Sequence, residues 1–364
     1  MEGFGWFTYE VAKRMVENHP EHEFYFFFDR PFDPKFVFAD HVTPVVLNPP
    51  ARHPILFKIW FDYSVTKALK KYEIDLFFSP DGYLSLRTDV PQVGVIHDLN
   101  FEHHPEDLPS AALKYLKKYT PRFAQKAKQL ITVSNFSKQD IIDSYGIDEH
   151  KITVAHNGAS PVFKPVGSLI RSEMQEKYAQ GNPFFLFVGA LHARKNLKRL
   201  LEAYDDFRLN NDTKTQLVIV GEKLWKNEVF ESTLNALKHR ESIHFTGHLK
   251  LDELAKITAS AEALTFVSYF EGFGIPIVEA MQCGTPVIAG DKTALPEVAG
   301  DAAIFVDPFN VREISDALAE LDDSPLLQKE LSENGLEQAK NFSWDKTAAT
   351  CWQVIEKELN KIIS

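Results

Sequence analysis

The sequence has 364 residues and a formal net charge of −11, with 44% hydrophobic and 25% charged residues. These proportions are ordinary for a globular chain and exclude a disordered protein, a collagen and a coiled coil. The acidic balance argues against nucleic acid as a partner. The two cysteines, Cys283 and Cys351, are too few for a disulfide framework or a four-thiolate zinc site.

Short apolar runs alternate with longer amphipathic stretches along the chain. The runs predict strands at 24–28, 42–47, 76–79, 92–97, 129–133, 152–155, 184–188, 216–220, 243–246, 263–267, 286–289 and 303–306. The stretches predict helices at 8–17, 56–71, 111–127, 137–145, 197–210, 228–239, 252–259, 276–282 and 312–321. Because the runs are continuously hydrophobic, we expect parallel α/β sheets covered on both faces.

The alternation breaks at residues 157–183, which contain three prolines and three glycines. We therefore predict two Rossmann-like domains, 1–165 and 166–343, with the boundary near Pro165. Ligands bind at the carboxyl ends of parallel strands, so we expect two facing domains and a cleft. The chain opens at Gly3-Phe4-Gly5 and runs straight into a helix, so the first strand of domain 1–165 is expected to be absent.

A carboxylate pair in a glycine-rich setting follows the predicted strand 263–267. Glu271 lies in the turn and Glu279 eight residues later, about one turn into a helix. Between them, Gly272 and Gly274 permit close approach of a ligand to the backbone, and Pro276 suits the first turn of a helix. A helix start binds phosphate, and a carboxylate one turn further can accept two hydroxyl hydrogens of a ribose.

Two cations follow the strand 184–188. The strand ends at Gly189, and Arg194 and Lys195 come just before the next predicted helix. Two positive charges at this place can neutralise a diphosphate whose charge grows as a bond to it breaks. A solvated basic pair would explain the same two residues equally well.

His97 closes the strand 92–97 and can face a ligand at the carboxyl end of the sheet. Asp98 is a candidate to orient it, although adjacent side chains often point apart, and a structural histidine fits the pattern better when it is taken alone. His103 and His104 follow, but no carboxylate or thiol pattern completes a metal site. No Asp-x-Asp pair occurs in the sequence.

Further strand ends carry glycine. Gly221 follows the strand 216–220, and Gly247, His248 and Leu249 follow the strand 243–246. Main-chain groups there could contact the edge of a nucleobase, although each signal is weak by itself.

Two further stretches of the sequence are candidates for contacts at the protein surface. The predicted helix 111–127 carries a basic face that allows contact with anionic lipid, although an ordinary solvated helix explains it better. The aromatic-rich residues 55–63 are expected to pack in the core. With no secretion signal and no bilayer-spanning run, we expect a cytoplasmic protein, with the inner face of a membrane as a further option.

Taken together, the ordered motifs resemble glycosyltransferase family 4. They are Glu271-x7-Glu279, Val188-Gly189 followed by Arg194-Lys195-Asn196, His97-Asp98-Leu99, Thr132-Val133-Ser134 before Phe136-Ser137, and Asn157-Gly158. The resemblance extends to Phe342-Ser343-Trp344. It implies the GT-B fold, with the donor held mainly by the second domain and a closing helix, 344–364, that crosses back onto the first.

The resemblance also implies roles for the residues. Glu279 would bind the ribose, and Arg194 and Lys195 the diphosphate. Glu271 with the backbone of Gly272, Phe273, Gly274 and Ile275 would hold the sugar and distal phosphate. His97 would contact the transferred sugar, and Gly3 and Gly5 would lie beside the phosphates. The chain departs from many members at Ala190, where they carry Arg, and at Asn135, where they carry Glu.

The implied activity is that of a retaining hexosyltransferase of cell-surface polysaccharide biosynthesis. Its donor would be a UDP-, GDP- or ADP-linked sugar, its acceptor a glycan or a lipid-linked molecule, and no metal or other cofactor is expected. Two alternatives stay open: a nucleotide-sugar epimerase or hydrolase of the same fold, and a nucleotide-sugar-binding protein impaired in catalysis. A dinucleotide oxidoreductase fits worst, because Gly3-x-Gly5 lacks a preceding strand and position 8 is Thr.

Overall fold

A computed structural model describes residues 3–190, 192–221 and 228–363 of the chain. The strands are β1 (Phe24–Phe28), β2 (Val42–Val46), β3 (Phe77–Ser79), β4 (Gln92–Val95), β5 (Gln129–Thr132), β6 (Ile152–Val154), β7 (Phe184–Val188), β8 (Gln216–Val220), β9 (Ile243–Gly247), β10 (Ala263–Phe266), β11 (Val287–Gly290) and β12 (Ala303–Val306). Every predicted strand is therefore present, with ends that differ by at most two residues.

The α-helices are α1 (Gly3–Asn18), α2 (Pro54–Ile59), α3 (Thr66–Lys71), α4 (Asn100–His103), α5 (Ser110–Lys126), α6 (Asn135–Tyr145), α7 (Ser168–Ala179), α8 (Leu197–Asn210), α9 (Glu228–Ala236), α10 (Leu251–Thr258), α11 (Ile275–Gln282), α12 (Leu295–Ala299), α13 (Val311–Asp323), α14 (Pro325–Gln338) and α15 (Trp344–Ile363). The helix predicted at 56–71 is interrupted by a π-helical turn at Trp60–Val65. Helix α1 begins at Gly3, so the predicted glycine turn is the first turn of a helix.

The chain forms two compact units. One runs to Gly158 and resumes at Ser343, and the other is Ala159–Phe342. The division thus falls before the boundary predicted near Pro165. Its cause is local packing, because Phe163 is buried against Ala255 and Cys283 of the second unit. Gly158 instead lies so close to Ser343 and Trp344 that a Cβ there would come within 2.2 Å of the Trp344 nitrogen.

All sheets of both units are parallel. In the first unit, β1 pairs with β2, and β3, β4, β5 and β6 form a separate sheet in that order. Among the described residues, α1 precedes the first strand. In the second unit, six strands form one sheet in the order β12-β11-β10-β7-β8-β9, which is the doubly wound order of the Rossmann fold. The predicted α/β class with two Rossmann-like parallel-sheet domains is confirmed.

The closing helix α15 packs on α1 within the first unit. Trp352 stacks on His19 with ring centroids 3.8 Å apart, and Trp344 meets Phe7 edge-on. Arg14 of α1 pairs with Asp345 at 2.5 Å. Residues from the two ends of the described chain therefore share one hydrophobic layer.

Among the residues that the structure describes, no helix is both long and apolar enough to cross a lipid bilayer.

Candidate active site

The topology of the second unit produces a switch point between β7 and β10. These strands are neighbours, but the chain continues from β7 to β8 on one side and from β10 to β11 on the other. The connections after the two strands diverge, which leaves a crevice at their carboxyl ends. Arg194 and Lys195 follow β7, and Glu271 and Glu279 follow β10. The fold thereby brings together the two segments that carry the predicted donor-binding residues.

The residue before α8, Asn196, is hydrogen-bonded to the segments that follow the neighbouring strands. Asn196 adopts a left-handed conformation with φ of 59°. Its buried side-chain amide donates to the carbonyl oxygens of Val267 at 3.0 Å and Pro308 at 2.6 Å. The backbone before it is fixed as well, since the Tyr269 N–H donates to the Arg194 carbonyl at 3.0 Å. The two cations therefore stand on a rigid turn.

Glu271 bridges both cations. Its Oε2 lies 2.6 Å from Nη1 of Arg194, and its Oε1 lies 2.6 Å from Nζ of Lys195. The Glu271 side chain is 7% exposed and that of Lys195 is 11% exposed. The Lys195 ammonium also lies over the ring of Phe266, 4.5 Å from its centroid. Two positive charges and one negative charge are thus held together in a largely buried cluster.

The electrostatic balance at Glu271 favours the ionised carboxylate. Burial alone raises the pKa of this carboxyl, but the charges of Arg194 and Lys195 outweigh burial and lower the pKa to about 2. Glu271 therefore stays negative throughout the physiological pH range. The ionised carboxylate orients the two cations and has no proton to donate.

The environment of Glu279 shifts the pKa of its carboxyl in the other direction. It lies on α11 and is partly buried, and burial raises the pKa of its carboxyl to about 8. Gly274, the residue before α11, has a φ of 105° that favours glycine, and no side chain of the described residues caps this helix start. A carboxyl one turn beyond an uncapped helix start has the arrangement expected for a ribose beside a phosphate.

The predicted nucleobase contacts lie along the other half of the sheet. Gly221 follows β8, and a Cβ there would approach the Gly189 carbonyl oxygen to 2.0 Å, so only glycine fits. His248, which is exposed, and Leu249 follow β9. These residues share the carboxyl edge with the cations. Glu222, beside Gly221 in the predicted segment, is outside the described residues.

His97 belongs to the first unit. Its Nε2 lies 2.8 Å from the Pro80 carbonyl oxygen, which can only accept, so Nε2 carries the proton. Burial lowers the pKa of the imidazole, although the bond to Pro80 opposes this. A neutral ring with a lone pair on Nδ1 can accept a hydroxyl hydrogen. Asp98 does not orient the ring, because its Oδ1 accepts from the Asn100 N–H at 3.0 Å.

Gly3 and Gly5 lie in the first turn of α1 in the first unit. Phe7, one turn further, meets the His97 ring edge-on with centroids 5.0 Å apart. The start of α1 is thereby placed beside the carboxyl end of β4, where His97 follows.

Sequence reasoning missed a supporting residue at the third strand end. Thr293, which follows β11 and has φ of 60°, accepts a hydrogen bond from the Glu271 N–H at 3.1 Å. The signal was available, since the predicted strand 286–289 ends at the same edge as β10. A polar residue after that strand was therefore a candidate to fix the turn that holds Glu271.

Comparisons with known proteins show which family the chain belongs to. Residues 171–338 match the family "Glycosyl transferases group 1" and residues 1–162 match "Glycosyltransferase Family 4". The O-antigen chain mannosyltransferase B of Escherichia coli is 30% identical over 281 residues, which cover 76% of this chain and 73% of that protein. An MMP alpha-(1→4)-mannosyltransferase of Mycolicibacterium hassiacum is 32% identical over 66% of this chain and 57% of its own length.

Solved structures share the fold. Anabaena HepE, crystallised with UDP and glucose, superposes with a TM-score of 0.77 at 17% identity, covering 98% of this chain and 96% of that one. WaaG, a glycosyltransferase involved in lipopolysaccharide biosynthesis, gives a TM-score of 0.76 at 17% identity, with 98% and 96% covered. The fold is GT-B, and the protein is a glycosyltransferase. The chain belongs to glycosyltransferase family 4, as its motifs had indicated.

Proposed function

We propose that this enzyme transfers a mannosyl residue from a nucleoside diphosphate mannose to a hydroxyl group of a growing polysaccharide, with retention of configuration and without a metal. The observation that carries the donor part is the buried cluster of Arg194, Lys195 and Glu271 at the carboxyl ends of β7 and β10. The mannosyl part is supported by the two relatives above, both of which are mannosyltransferases.

Two cations side by side suit the charge of a diphosphate. Arg194 offers a planar fork of N–H donors and Lys195 a point charge, and both suit phosphate oxygens. Glu271 keeps the two head groups in place before the donor arrives, so little reorganisation is needed on binding. The uncapped start of α11 at Gly274 and Ile275 would add backbone N–H groups, with Gly272 and Phe273 in the loop before it.

In the transfer itself, the bond between the sugar C1 and the diphosphate oxygen breaks as the acceptor oxygen bonds to C1 on the same face. The acceptor proton passes to an oxygen of the leaving diphosphate, so no protein base is consumed. Arg194 and Lys195 stabilise the charge that grows on the leaving group. Their two positive charges can do the work that a divalent cation would otherwise supply, which supports metal independence.

The roles of the remaining predicted residues stay proposals. Glu279 would accept the ribose hydroxyl hydrogens, while the backbone near Gly189, Gly221, His248 and Leu249 would meet the nucleoside. His97 would contact the transferred sugar through Nδ1, with Gly3 and Gly5 beside the phosphates. A cytoplasmic location and contact with the inner face of a membrane belong to the same proposal, since a lipid-linked acceptor would give both.

The donor is tested by incubating the full chain with GDP-mannose, UDP-glucose and ADP-glucose, each with and without a mannan oligosaccharide as acceptor. We expect acceptor-dependent release of GDP from GDP-mannose, and an α-anomeric product by NMR. Activity should persist in excess EDTA. Acceptor-dependent release of UDP or ADP instead would replace the mannosyl assignment, and a β-anomeric product would refute retention.

The donor-only arm separates the remaining alternatives. An epimer or free sugar formed equally well without acceptor would identify an epimerase or hydrolase. Calorimetric binding of GDP-mannose without turnover over a panel of acceptors would identify a binding protein impaired in catalysis.

A further inference from the structure

Asp81 and His97 occupy equivalent places at the carboxyl edge of the four-stranded sheet of the first unit. Strands β3 and β4 are parallel neighbours, and Ser79 of β3 pairs with Gly94 of β4. Strand β3 ends at Ser79 and β4 at Val95, so Asp81 and His97 each follow two residues beyond the end of a strand. The carboxyl ends of parallel strands meet at one edge, which places the two residues side by side. The proposed transfer uses His97 but gives Asp81 no role.

The loop that carries Asp81 is fixed to the end of β4. Nε2 of His97 donates a hydrogen bond to the carbonyl oxygen of Pro80, the residue directly before Asp81, at 2.8 Å. On the other side of Asp81, Gly82 has a φ of 77°, and a Cβ there would lie 2.6 Å from the carbonyl oxygen of Val95. Only glycine permits so close an approach of the loop to the strand. Asp81 is therefore held in place through both of its neighbours in the chain.

The Asp81 carboxyl group is oriented by a buried hydroxyl. Ser79, which is 2% exposed, donates its hydroxyl hydrogen to Oδ1 of Asp81 at 2.9 Å. Asp81 itself is exposed. Among the residues that the structure describes, no lysine or arginine forms an ion pair with Asp81. A carboxyl group that the fold orients on one side and leaves accessible on the other has the arrangement of a preorganised binding group.

The surroundings of Asp81 favour a ligand that donates hydrogen bonds. The protein around this residue displaces part of the water that would solvate a charge, which raises the pKa of the carboxyl, although the Ser79 hydroxyl opposes the rise. A hydroxyl group that donates to the carboxylate would replace the missing solvation. A second anion would instead bring like charge to a place that is already poor in water, next to the further carboxylate of Asp98. Hydroxyl groups are therefore favoured at this corner of the sheet, and anions are disfavoured.

We propose that Asp81 binds the terminal sugar of the acceptor by accepting a hydrogen bond from a hydroxyl next to the one that is glycosylated, and that this sugar is uncharged. His97 contacts the sugar that is transferred, and Asp81, at the end of the neighbouring strand, binds the sugar that receives it. This role rests on the proposed function, in which the acceptor is a hydroxyl group of a glycan. It adds the class of that glycan, which is a neutral sugar without a carboxylate or phosphate beside the reacting hydroxyl.

Calorimetry with the full chain tests the role of Asp81 without any transfer, in a mixture of UDP, GDP and ADP. The two probes are a mannotriose and the same trisaccharide oxidised at C6 of its non-reducing end to a uronic acid. We expect the wild type to bind the neutral trisaccharide at least about tenfold more tightly than the acid. Asp81→Asn should lower the affinity for the neutral trisaccharide about tenfold and reduce the discrimination to about twofold, because a hydrogen bond to a charged group is lost. Ser79→Ala removes only the orienting hydroxyl and should lower the affinity about threefold.

Asp75→Asn is the matched control. Asp75 is exposed like Asp81, but it lies two residues before β3, at the opposite edge of the same sheet. This variant should bind both trisaccharides like the wild type, and thermal unfolding shows whether each variant is folded.

Wild-type protein that binds neither trisaccharide, or both equally, would overturn the role of Asp81. An Asp81→Asn variant that keeps the affinity and the discrimination of the wild type would overturn it as well. If GDP-mannose supports no transfer while the calorimetric differences hold, the mannosyl donor is refuted and Asp81 keeps its role.

Discussion

The two units build parallel sheets from similar apolar runs, but they cover those sheets differently. In the second unit, β7, β8, β10 and β11 are buried at every residue. In the first unit β4 is likewise buried at every residue, but every residue of β1 is partly exposed, although its sequence is Phe-Tyr-Phe-Phe-Phe. The second unit thus provides a sheet with both faces covered, and it can hold charged groups away from water at the sheet edge. The first depends on a helix from the far end of the chain.

The largest effect is expected from breaking the charged cluster of the second unit. In the proposed mechanism Lys195→Ala removes a charge that stabilises the leaving diphosphate, so we expect turnover to fall by about 10²–10³-fold. Glu271→Gln keeps the size of the side chain but leaves two cations without their carboxylate, and turnover should fall to a similar extent. Steady-state kinetics on folded variants measures both.

Lys198→Ala is the control for this cluster. Lys198 follows three residues later on α8, is exposed and pairs with Glu202 at 3.7 Å. Its turnover should stay within about twofold of wild type, because an exposed pair contributes little. Equal losses in Lys195→Ala and Lys198→Ala would show that the cluster has no special part in turnover.

A smaller effect is expected from disturbing the contact between Gly158 and the segment that leads into α15. In Gly158→Ala the new Cβ would lie 2.2 Å from the backbone nitrogen of Trp344, so the segment that leads into α15 must shift. We expect the first unit to lose about 2 kcal/mol of stability. Urea unfolding followed by tryptophan fluorescence reports this loss through Trp344 and Trp352.

Gly167→Ala supplies the matching control, because a Cβ at Gly167 meets nothing within 4 Å. Its stability should change by no more than about 0.5 kcal/mol. If both alanine variants unfold at the same urea concentration, the contact between Gly158 and the Trp344 backbone does not stabilise the first unit.

The smallest effect sharpens the contrast between two carboxylates within the second unit. The pKa of Glu279 is raised to about 8, so its carboxyl is largely protonated at neutral pH in the empty protein. If Glu279 binds the ribose as proposed, the hydroxyls donate to its ionised form, and donor binding releases a proton below pH 8. The affinity for the sugar nucleotide should therefore rise by up to about tenfold per pH unit towards pH 8 and level off above it.

Calorimetry across this pH range measures the dependence, and Glu279→Gln should abolish it. Glu271, whose pKa is about 2, is ionised throughout and adds no slope. A flat profile for the wild-type chain would remove Glu279 from the nucleotide site.

Much of the fold could be predicted because its strands are short, continuous apolar runs. The runs 184–188, 216–220 and 303–306 coincide with β7, β8 and β12. The ends of helices were predicted less accurately. The first turn of α1 was not predicted as helix because it contains Gly3 and Gly5. Helix α14 was missed because its apolar positions are spread around the helix, and Leu326 is almost fully exposed.

The candidate site could be predicted as a set of residues but not as a geometry. The spacing of Glu271 and Glu279, and of Arg194 and Lys195, places each pair after its own strand. Sequence alone does not show that Glu271 joins both cations, because that contact depends on β7 lying beside β10. Nor does it distinguish the two glutamates, since the pKa of Glu271 is lowered by Arg194 and Lys195 and the pKa of Glu279 is raised by burial.

The packing of α15 on α1 has a consequence for biosynthesis. The second unit is one continuous stretch, Ala159–Phe342, whereas the first is interrupted by it. A ribosome therefore completes the second unit before it has made α15, the helix that packs on α1 of the first unit. Until α15 is made, Phe7 and His19 of α1 lack the ring contacts with Trp344 and Trp352 that they have in the folded unit.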